Sequence, residues 1–193
     1  MESLLADLSK YVNFNLVEKQ ALEKLLTRKE IKKGDHILKE GDICNFGVFI
    51  EKGCMRTYYN YQDIESTTHF FFENDWYADF ESYFTEKPSM LNIEALENCT
   101  LYFLTKKDYE MLVAIHPTFN TFLDEMKERT IKGLTGMMKW KNLLSPEERY
   151  LELIKYGPKI IERVSLKHIS NYLGIKPESL SRIRTRITLN SKS

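Results

Sequence analysis

At 193 residues the chain is long enough for one large domain or two small ones, and its 42% apolar and 29% charged residues exclude a disordered or fibrous protein. No run approaches the roughly 18 consecutive apolar residues that a bilayer span needs, and Met1 to Lys10 carries acids with no apolar core of a signal peptide, so a cytoplasmic protein with no membrane partner is expected. The 28 Lys and Arg offset 28 Asp and Glu, yet from Ser145 onward 10 basic residues stand against 5 acidic ones, leaving 18 against 23 before it, so any positive potential sits in the last quarter.

In chain order, the first 30 residues read as amphipathic helix, with Leu16, Ala21, Leu22, Leu25 and Leu26 at near-helical spacing. From Ile31 to about Leu104 the texture changes to short β-rich runs, His36 to Lys39, Phe46 to Glu51, Met55 to Tyr61, Thr67 to Phe72, Leu91 to Leu96 and Thr100 to Leu104. They are punctuated by Lys33-Gly34-Asp35, Glu40-Gly41-Asp42, Lys52-Gly53 and Glu73-Asn74-Asp75, which read as tight turns of an all-β barrel or roll. Cys44, Cys54 and Cys99 have neither CxxC nor metal-type spacing and are expected as buried, reduced thiols.

A short helix is predicted from Lys106 to Ile115, and Pro117 opens a longer one. Ile115, Phe119, Phe122, Met126, Thr130, Gly133, Met137, Trp140 and Leu144 form one stripe along it. Such a stripe either packs on its own domain or pairs with its twin. A helix of about 28 residues, roughly 42 Å long, exceeds what a small roll needs, so Phe119, Phe122, Met126, Thr130, Gly133, Met137 and Trp140 are expected at a homodimer interface. Ser145-Pro146-Glu147-Glu148 combines a serine cap, a first-turn proline and a glutamate three residues after the cap, marking a new helix that should stop at Tyr156-Gly157-Pro158. Three segments follow: a sensor domain over 1–115, a dimerisation helix over 116–144 and an effector domain over 145–193.

Ser165 caps a predicted helix on which Leu166, Ile169 and Leu173 share a face; Gly174 supplies a left-handed turn, and Pro177 opens a second helix from Glu178 to about Thr188. On that second helix Leu180, Ile183 and Ile187 fall within about 60° of arc, and Ser181, Arg182, Thr185 and Arg186 lie opposite. A DNA recognition helix has this division, with its first turns against the bases. Glu178, Ser179, Ser181 and Arg182 are the candidate base readers: Arg182 suits guanine O6 and N7, Glu178 suits a cytosine amino group, and Glu178 lies one turn before Arg182, where it can orient the guanidinium. Lys167, Lys176, Arg184 and Arg186 are assigned to phosphates. The plainer alternative is that these arginines only solvate an exposed helix.

With both halves placed, the sequence resembles the Crp/Fnr family of transcription regulators over nearly its full length. The resemblance rests on the two Gly-Asp turns, on Phe49-Ile50-x-x-Gly53-x-x-Arg56, and more closely on Ser165-Leu166-x-x-Ile169-x-x-Tyr172-Leu173-Gly174-Ile175-x-x-Glu178-x-Leu180-Ser181-Arg182-Ile183. It implies an α+β fold: a cyclic-nucleotide-binding β-roll (a double-stranded β-helix) with flanking helices, a long dimerisation helix and a C-terminal helix-turn-helix. It implies double-stranded palindromic DNA, a second copy of the chain and RNA polymerase as partners, with Glu178 and Arg182 where the family reads a TGTGA-like half-site.

Three departures matter. Where cyclic-nucleotide-binding members hold ribose and phosphate with Gly-Glu-x-Gly/Ala and Arg-(Ser/Thr)-Ala, this chain reads Ala78-Asp79-Phe80-Glu81 and Ser89-Met90-Leu91, with no arginine for the phosphate. Binding of cAMP in the family's usual mode is therefore not expected; Asp79, Phe80, Ser82, Ser89 and Met90 mark the candidate effector pocket, its occupant open, and Phe80, Tyr83 and Phe84 are assigned to core filling. Lys176 stands where a helix cap would be expected, and only Thr188 to Ser193 follow Ile187, so the wing hairpin is expected to be reduced or absent. The cysteine cluster of the family's iron-sulfur sensors is missing, and no cofactor is expected.

Two rival functions remain. A metal-dependent roll enzyme would need clustered ligands, but His36, His69, His116 and His168 are scattered, and there is no nucleophile elbow or P-loop. The alternative that survives is a ligand-sensing or protein-interaction module with a degenerate helix-turn-helix.

Overall fold

The computed structural model describes residues 1–10, 13–62 and 64–190. The order of elements is α1 (Glu2–Leu8), α2 (Leu16–Leu25), β1 (Thr27–Ile31), β2 (His36–Leu38), β3 (Phe46–Lys52), β4 (Met55–Tyr61), β5 (Ile64–Phe71), β6 (Trp76–Tyr77), α3 (Phe80–Thr85), β7 (Asn92–Ala95), β8 (Cys99–Thr105), α4 (Lys106–Ile115), α5 (Phe119–Leu143), α6 (Pro146–Tyr156), α7 (Pro158–Arg163), α8 (Leu166–Leu173) and α9 (Pro177–Asn190). The chain divides into two compact units, Met1–Thr57 with Phe70–Lys132, and Tyr58–His69 with the chain from Gly133 onward, so the division falls inside α5.

Three turns of the roll share one chemistry. In Lys32–Asp35, Lys39–Asp42 and Phe72–Asp75 the Asp backbone N–H donates to the carbonyl three residues back, at 3.0, 2.9 and 3.1 Å. In each, the Asp carboxylate accepts the N–H of the first residue, at 3.3, 3.0 and 2.8 Å. The third position has positive φ in all three, and Gly34, Gly41 and Asn74 are residue types that tolerate it. Gly53 has a different reason: at φ +111 a Cβ would meet the Cys99 Sγ at 2.5 Å and its Cα at 2.9 Å.

These turns fold the strands into two four-stranded sheets, in the orders β1-β8-β3-β6 and β2-β7-β4-β5. Leu38, Val48, Ile50, Met55, Phe71, Ile93, Ala95, Leu101 and Phe103 fill the space between them. Strand β8 is buried on both faces, because Leu101 and Phe103 point into the roll while Tyr102 and Leu104 join a second core. Its near-continuous apolar run follows from that double burial. The second core packs the helices on the outer side of β3 and β8, with Leu4 and Leu8 of α1, Leu22 of α2, Tyr109 and Leu112 of α4, and Phe119, Phe122 and Met126 of α5. The three cysteines are buried, as expected.

Several expectations need correction. The first 30 residues make two helices and a strand: Asn15 and Glu18 form a reciprocal capping box at the start of α2, and Leu16 is 70% exposed. Helices α3 and α7 were not anticipated. Helix α7 begins at Pro158, which ends one helix and starts the next. Phe84, assigned to core filling, is 47% exposed, whereas Tyr83 is buried.

Candidate nucleic-acid interface

Within the second unit the helix-turn-helix is built from local signals. The Ser145 hydroxyl accepts the Glu148 N–H at 3.3 Å and the Ser145 N–H donates to the Glu148 carboxylate at 2.7 Å, which starts α6 after Pro146 as the sequence indicates. The Ser165 hydroxyl accepts the His168 N–H and starts α8. Helix α8 ends on Gly174 at φ 70, with the Ile175 N–H donating to the Ser170 carbonyl at 2.9 Å and the Gly174 N–H to that of Asn171 at 3.1 Å. The first turn of α9 closes on the Lys176 carbonyl, which accepts from Ser179 and Leu180.

Ile169, Leu173 and Leu180 are at most 1% exposed and Ile183 is 8% exposed, so α8 and α9 lock face to face. Leu166 follows the same helical spacing but is not buried with them; it is 43% exposed. Around the rest of α9 Glu178, Ser179, Ser181, Arg182, Arg184, Thr185 and Arg186 are all exposed, and Lys167 and Lys176 are exposed as well. The four candidate base readers therefore lie together on the first two turns. Two electrostatic details differ from expectation. Among the described residues Glu178 and Arg182 form no ion pair. Arg186 is instead engaged within the unit, its Nη1 donating to the Glu147 Oε2 of α6 at 2.6 Å.

Three contacts that the sequence did not signal hold this unit. The Trp140 ring of α5 lies 5.3 Å from that of Tyr172 on α8, and the Arg149 guanidinium of α6 sits 5.7 Å from the same indole. The Asn171 side chain bonds to backbone groups of β5, at Glu65 and Thr67.

Along α5 the expected stripe divides. Phe119, Phe122 and Met126 are 2, 7 and 8% exposed and belong to the first unit's own core, so they are taken out of any partner-facing surface. Thr130 and Gly133 are exposed, and Met137 and Trp140 are half-buried. The exposed apolar row is Ile131, Leu134 and Met138, at 65, 53 and 63%, turned by about 110° from the expected stripe.

In the first unit, the polar members of the candidate effector pocket bond to one another and to the backbone. The Ser89 hydroxyl donates to the Asp79 carboxylate at 2.6 Å, and both residues are buried. The Ser82 hydroxyl donates to the Lys87 carbonyl at 2.6 Å and accepts the Cys44 N–H at 2.9 Å. Phe80 stacks on Phe84, and Met90 is 69% exposed. Burial pushes the neighbouring Cys44 thiol up, and the Tyr83 phenol to about 12. The two arginines between residues 28 and 116 are both paired elsewhere: Arg28 with Glu30 at 2.7 Å, and the buried Arg56 with Glu94 at 2.6 Å through Nη2 and 2.7 Å through Nε. Among the described residues no group of three or more His, Cys, Asp or Glu could hold a metal ion, and no helix is long and apolar enough to cross a membrane.

The roll of two sheets, the long helix and the helix-turn-helix have counterparts in known proteins. Residues 28–116 match the cyclic nucleotide-binding domain. The fold matches that of a protein from Eubacterium rectale assigned to the Crp/Fnr family of transcriptional regulators, at 18% identity and a TM-score of 0.72, over 92% of this chain and 85% of that one. It also matches CLP of Xanthomonas campestris, described as a c-di-GMP-responsive global regulator, at 13% identity and a TM-score of 0.75, over 92% and 93% of the two chains. A regulatory subunit of a cAMP-independent protein kinase A from Trypanosoma brucei, in a triple variant bound to cAMP, is similar over 61% of this chain and 41% of its own, at 19% identity and a TM-score of 0.52. No curated protein matches the chain by sequence at a significant level. Residues 28–116 thus match the cyclic nucleotide-binding domain, and the chain has the fold seen in Crp/Fnr regulators.

Proposed function

We propose that this protein is a cytoplasmic, DNA-binding transcription regulator of the Crp/Fnr type, not an enzyme, acting as a homodimer on a palindromic site. The observation that carries the reading is α9 itself: Leu180 and Ile183 are buried while Glu178, Ser179, Ser181 and Arg182 stand exposed on its first two turns. Those four read base edges, Arg182 taking a guanine through its two-pronged guanidinium. Lys167, Lys176 and Arg184 contact phosphates, and Arg186 joins them only by leaving Glu147.

Pairing of two copies along α5, through the row that includes Leu134 and Met138, supplies the second reading head. Half-sites one helical turn apart, about 34 Å, are the spacing such a dimer addresses.

The roll does not take cAMP in the usual mode. A phosphate placed beside Asp79 and Glu81 would meet acids, and Arg28 and Arg56 are already paired with carboxylates. In the trypanosomal relative, the variant bound to cAMP has lost a glutamate and gained an arginine, the same chemical exchange that this pocket would need. Calorimetry with millimolar cAMP should show no binding heat.

Titration against TGTGA-type palindromes and random duplex at several salt concentrations tests the main reading. A regulator prefers the palindrome by about 10³ or more, and log K falls with log salt by about 0.9 per phosphate neutralised. Weak, equal binding to every duplex would favour an interaction module whose helix-turn-helix no longer engages DNA.

A further inference from the structure

Strands β4 and β5 are consecutive in the chain and neighbours in their sheet, and β5 is the last strand in the order β2-β7-β4-β5. The outer side of such an edge strand presents backbone groups that only another strand, a side chain or water can satisfy. Here a single side chain from the helix-turn-helix does so. The Thr67 N–H donates to the Asn171 Oδ1 at 2.5 Å, and the Asn171 Nδ2 donates to the Glu65 carbonyl. A carbonyl and an N–H two residues apart are the pair that one residue of a parallel neighbouring strand would engage. A carboxamide has the same donor and acceptor as a peptide unit, so Asn171 substitutes for a strand at this edge.

The position of the contact gives it consequence. Residues 58–69 of the hairpin belong to the same compact unit as α8, whereas Met55–Thr57 of β4 and Phe70–Phe71 of β5 belong to the other, so these strands run through both units. On α8 the next residue, Tyr172, is held by Trp140 of α5. Adjacent positions of α8 are thus tied to the hairpin and to the long helix, and α8 packs directly on α9 through Ile169, Leu173 and Leu180.

We propose that Asn171 is a mechanical joint through which the β4–β5 hairpin and the helix-turn-helix report their states to each other. The consequence for DNA rests on the function proposed above; the joint itself does not. A shift in the strands moves the Glu65 and Thr67 groups, and α8 either follows or gives up two hydrogen bonds. Coupling of this kind is reciprocal, so a change made at α8 is felt in the strands.

The test uses the full-length chain with Asn171→Ala, which removes both bonds, and Asn171→Asp, which keeps the acceptor for Thr67 but loses the donor to Glu65. Amide hydrogen exchange is measured without DNA, and palindrome affinity in parallel. In Asn171→Ala the Thr67 amide should exchange at least tenfold faster, with the acceleration reaching Met55–Thr57 and Phe70–Phe71, and the palindrome Kd should shift at least threefold in either direction. Asn171→Asp, which perturbs the helix less, should fall between the two. Acceleration confined to Thr67 with an unchanged Kd would reduce the contact to a local one and overturn the proposal, as would unaltered exchange at Thr67. A wild-type chain with no palindrome preference sinks the DNA reading alone, because the exchange measurement still decides whether the joint exists.

Discussion

The first turns of α3 and of α9 make an instructive pair. Each begins a helix and gathers small polar and charged residues, Asp79, Glu81 and Ser82 on one and Glu178, Ser179, Ser181 and Arg182 on the other. Around α3 Asp79 and Ser82 are buried and satisfied internally, while Glu81 is exposed: Ser89 bonds Asp79, and Ser82 bonds Lys87 and Cys44. On α9 they are exposed, and the burial that orients them is supplied by Leu180 and Ile183 on the other side. A buried hydroxyl whose bonds are made holds the fold, whereas an exposed row on a fixed helix remains available to an incoming partner. The two regions should therefore respond differently to substitution.

The largest expected effect is on the support of α9. Leu173→Ala empties a fully buried position between α8 and α9 and should cost about 2–5 kcal/mol. Urea unfolding followed by hydrogen exchange should show α8 and α9 opening while β3 and β8 stay protected. Simultaneous loss of both would mean that the two regions do not fold as separate cooperative units.

Arg182→Ala comes next, and it leaves stability alone. Palindrome affinity should drop by about 1–3 kcal/mol with relaxed preference at one base pair, while Lys167→Ala weakens every duplex alike. Intact preference in Arg182→Ala would remove it from the base readers.

Ser89→Ala should give the inverse pattern. It strips a hydrogen-bond donor from the buried Asp79 carboxylate and should cost about 1–3 kcal/mol of stability without altering DNA preference. A Ser89→Ala protein of unchanged melting temperature would show that the pocket residues are not holding α3 in place.

How far these features were legible in the sequence depends on how local their causes are. The Ser145 and Ser165 caps, the Gly174 stop and the Gly-Asp turns are each decided within about six residues, and the structure has them where the pattern puts them. On α5 the periodicity shows that the helix has an apolar face, not what covers it. Phe119, Phe122 and Met126 are covered by Leu4, Leu8 and Leu22, about a hundred residues earlier in the chain. Leu166 followed the same period and ended exposed. Asn171 gave no signal, because a polar residue on a half-exposed helix face looks solvated, and its partners lie 104 and 106 residues away.

The smallest effect isolates the one arginine of the α9 face that behaves like the α3 region. Arg186 is 58% exposed and held by Glu147, and a pair of this exposure contributes about 0–1 kcal/mol. Glu147→Gln keeps the side-chain volume while removing the charge, so Arg186 is released toward a phosphate. Palindrome affinity should then rise by no more than about fivefold, and the slope of log K against log salt should steepen by about 0.9, one further phosphate. Because Glu147 also sits in the first turn of α6, the same change should lower stability by about 0.3–1 kcal/mol through the lost helix-dipole interaction. The two readouts move in opposite directions, so a general loosening of the unit cannot imitate the expected result. A slope equal to that of the unaltered protein would place Arg186 beyond reach of the backbone and leave its ion pair with Glu147 as its whole role.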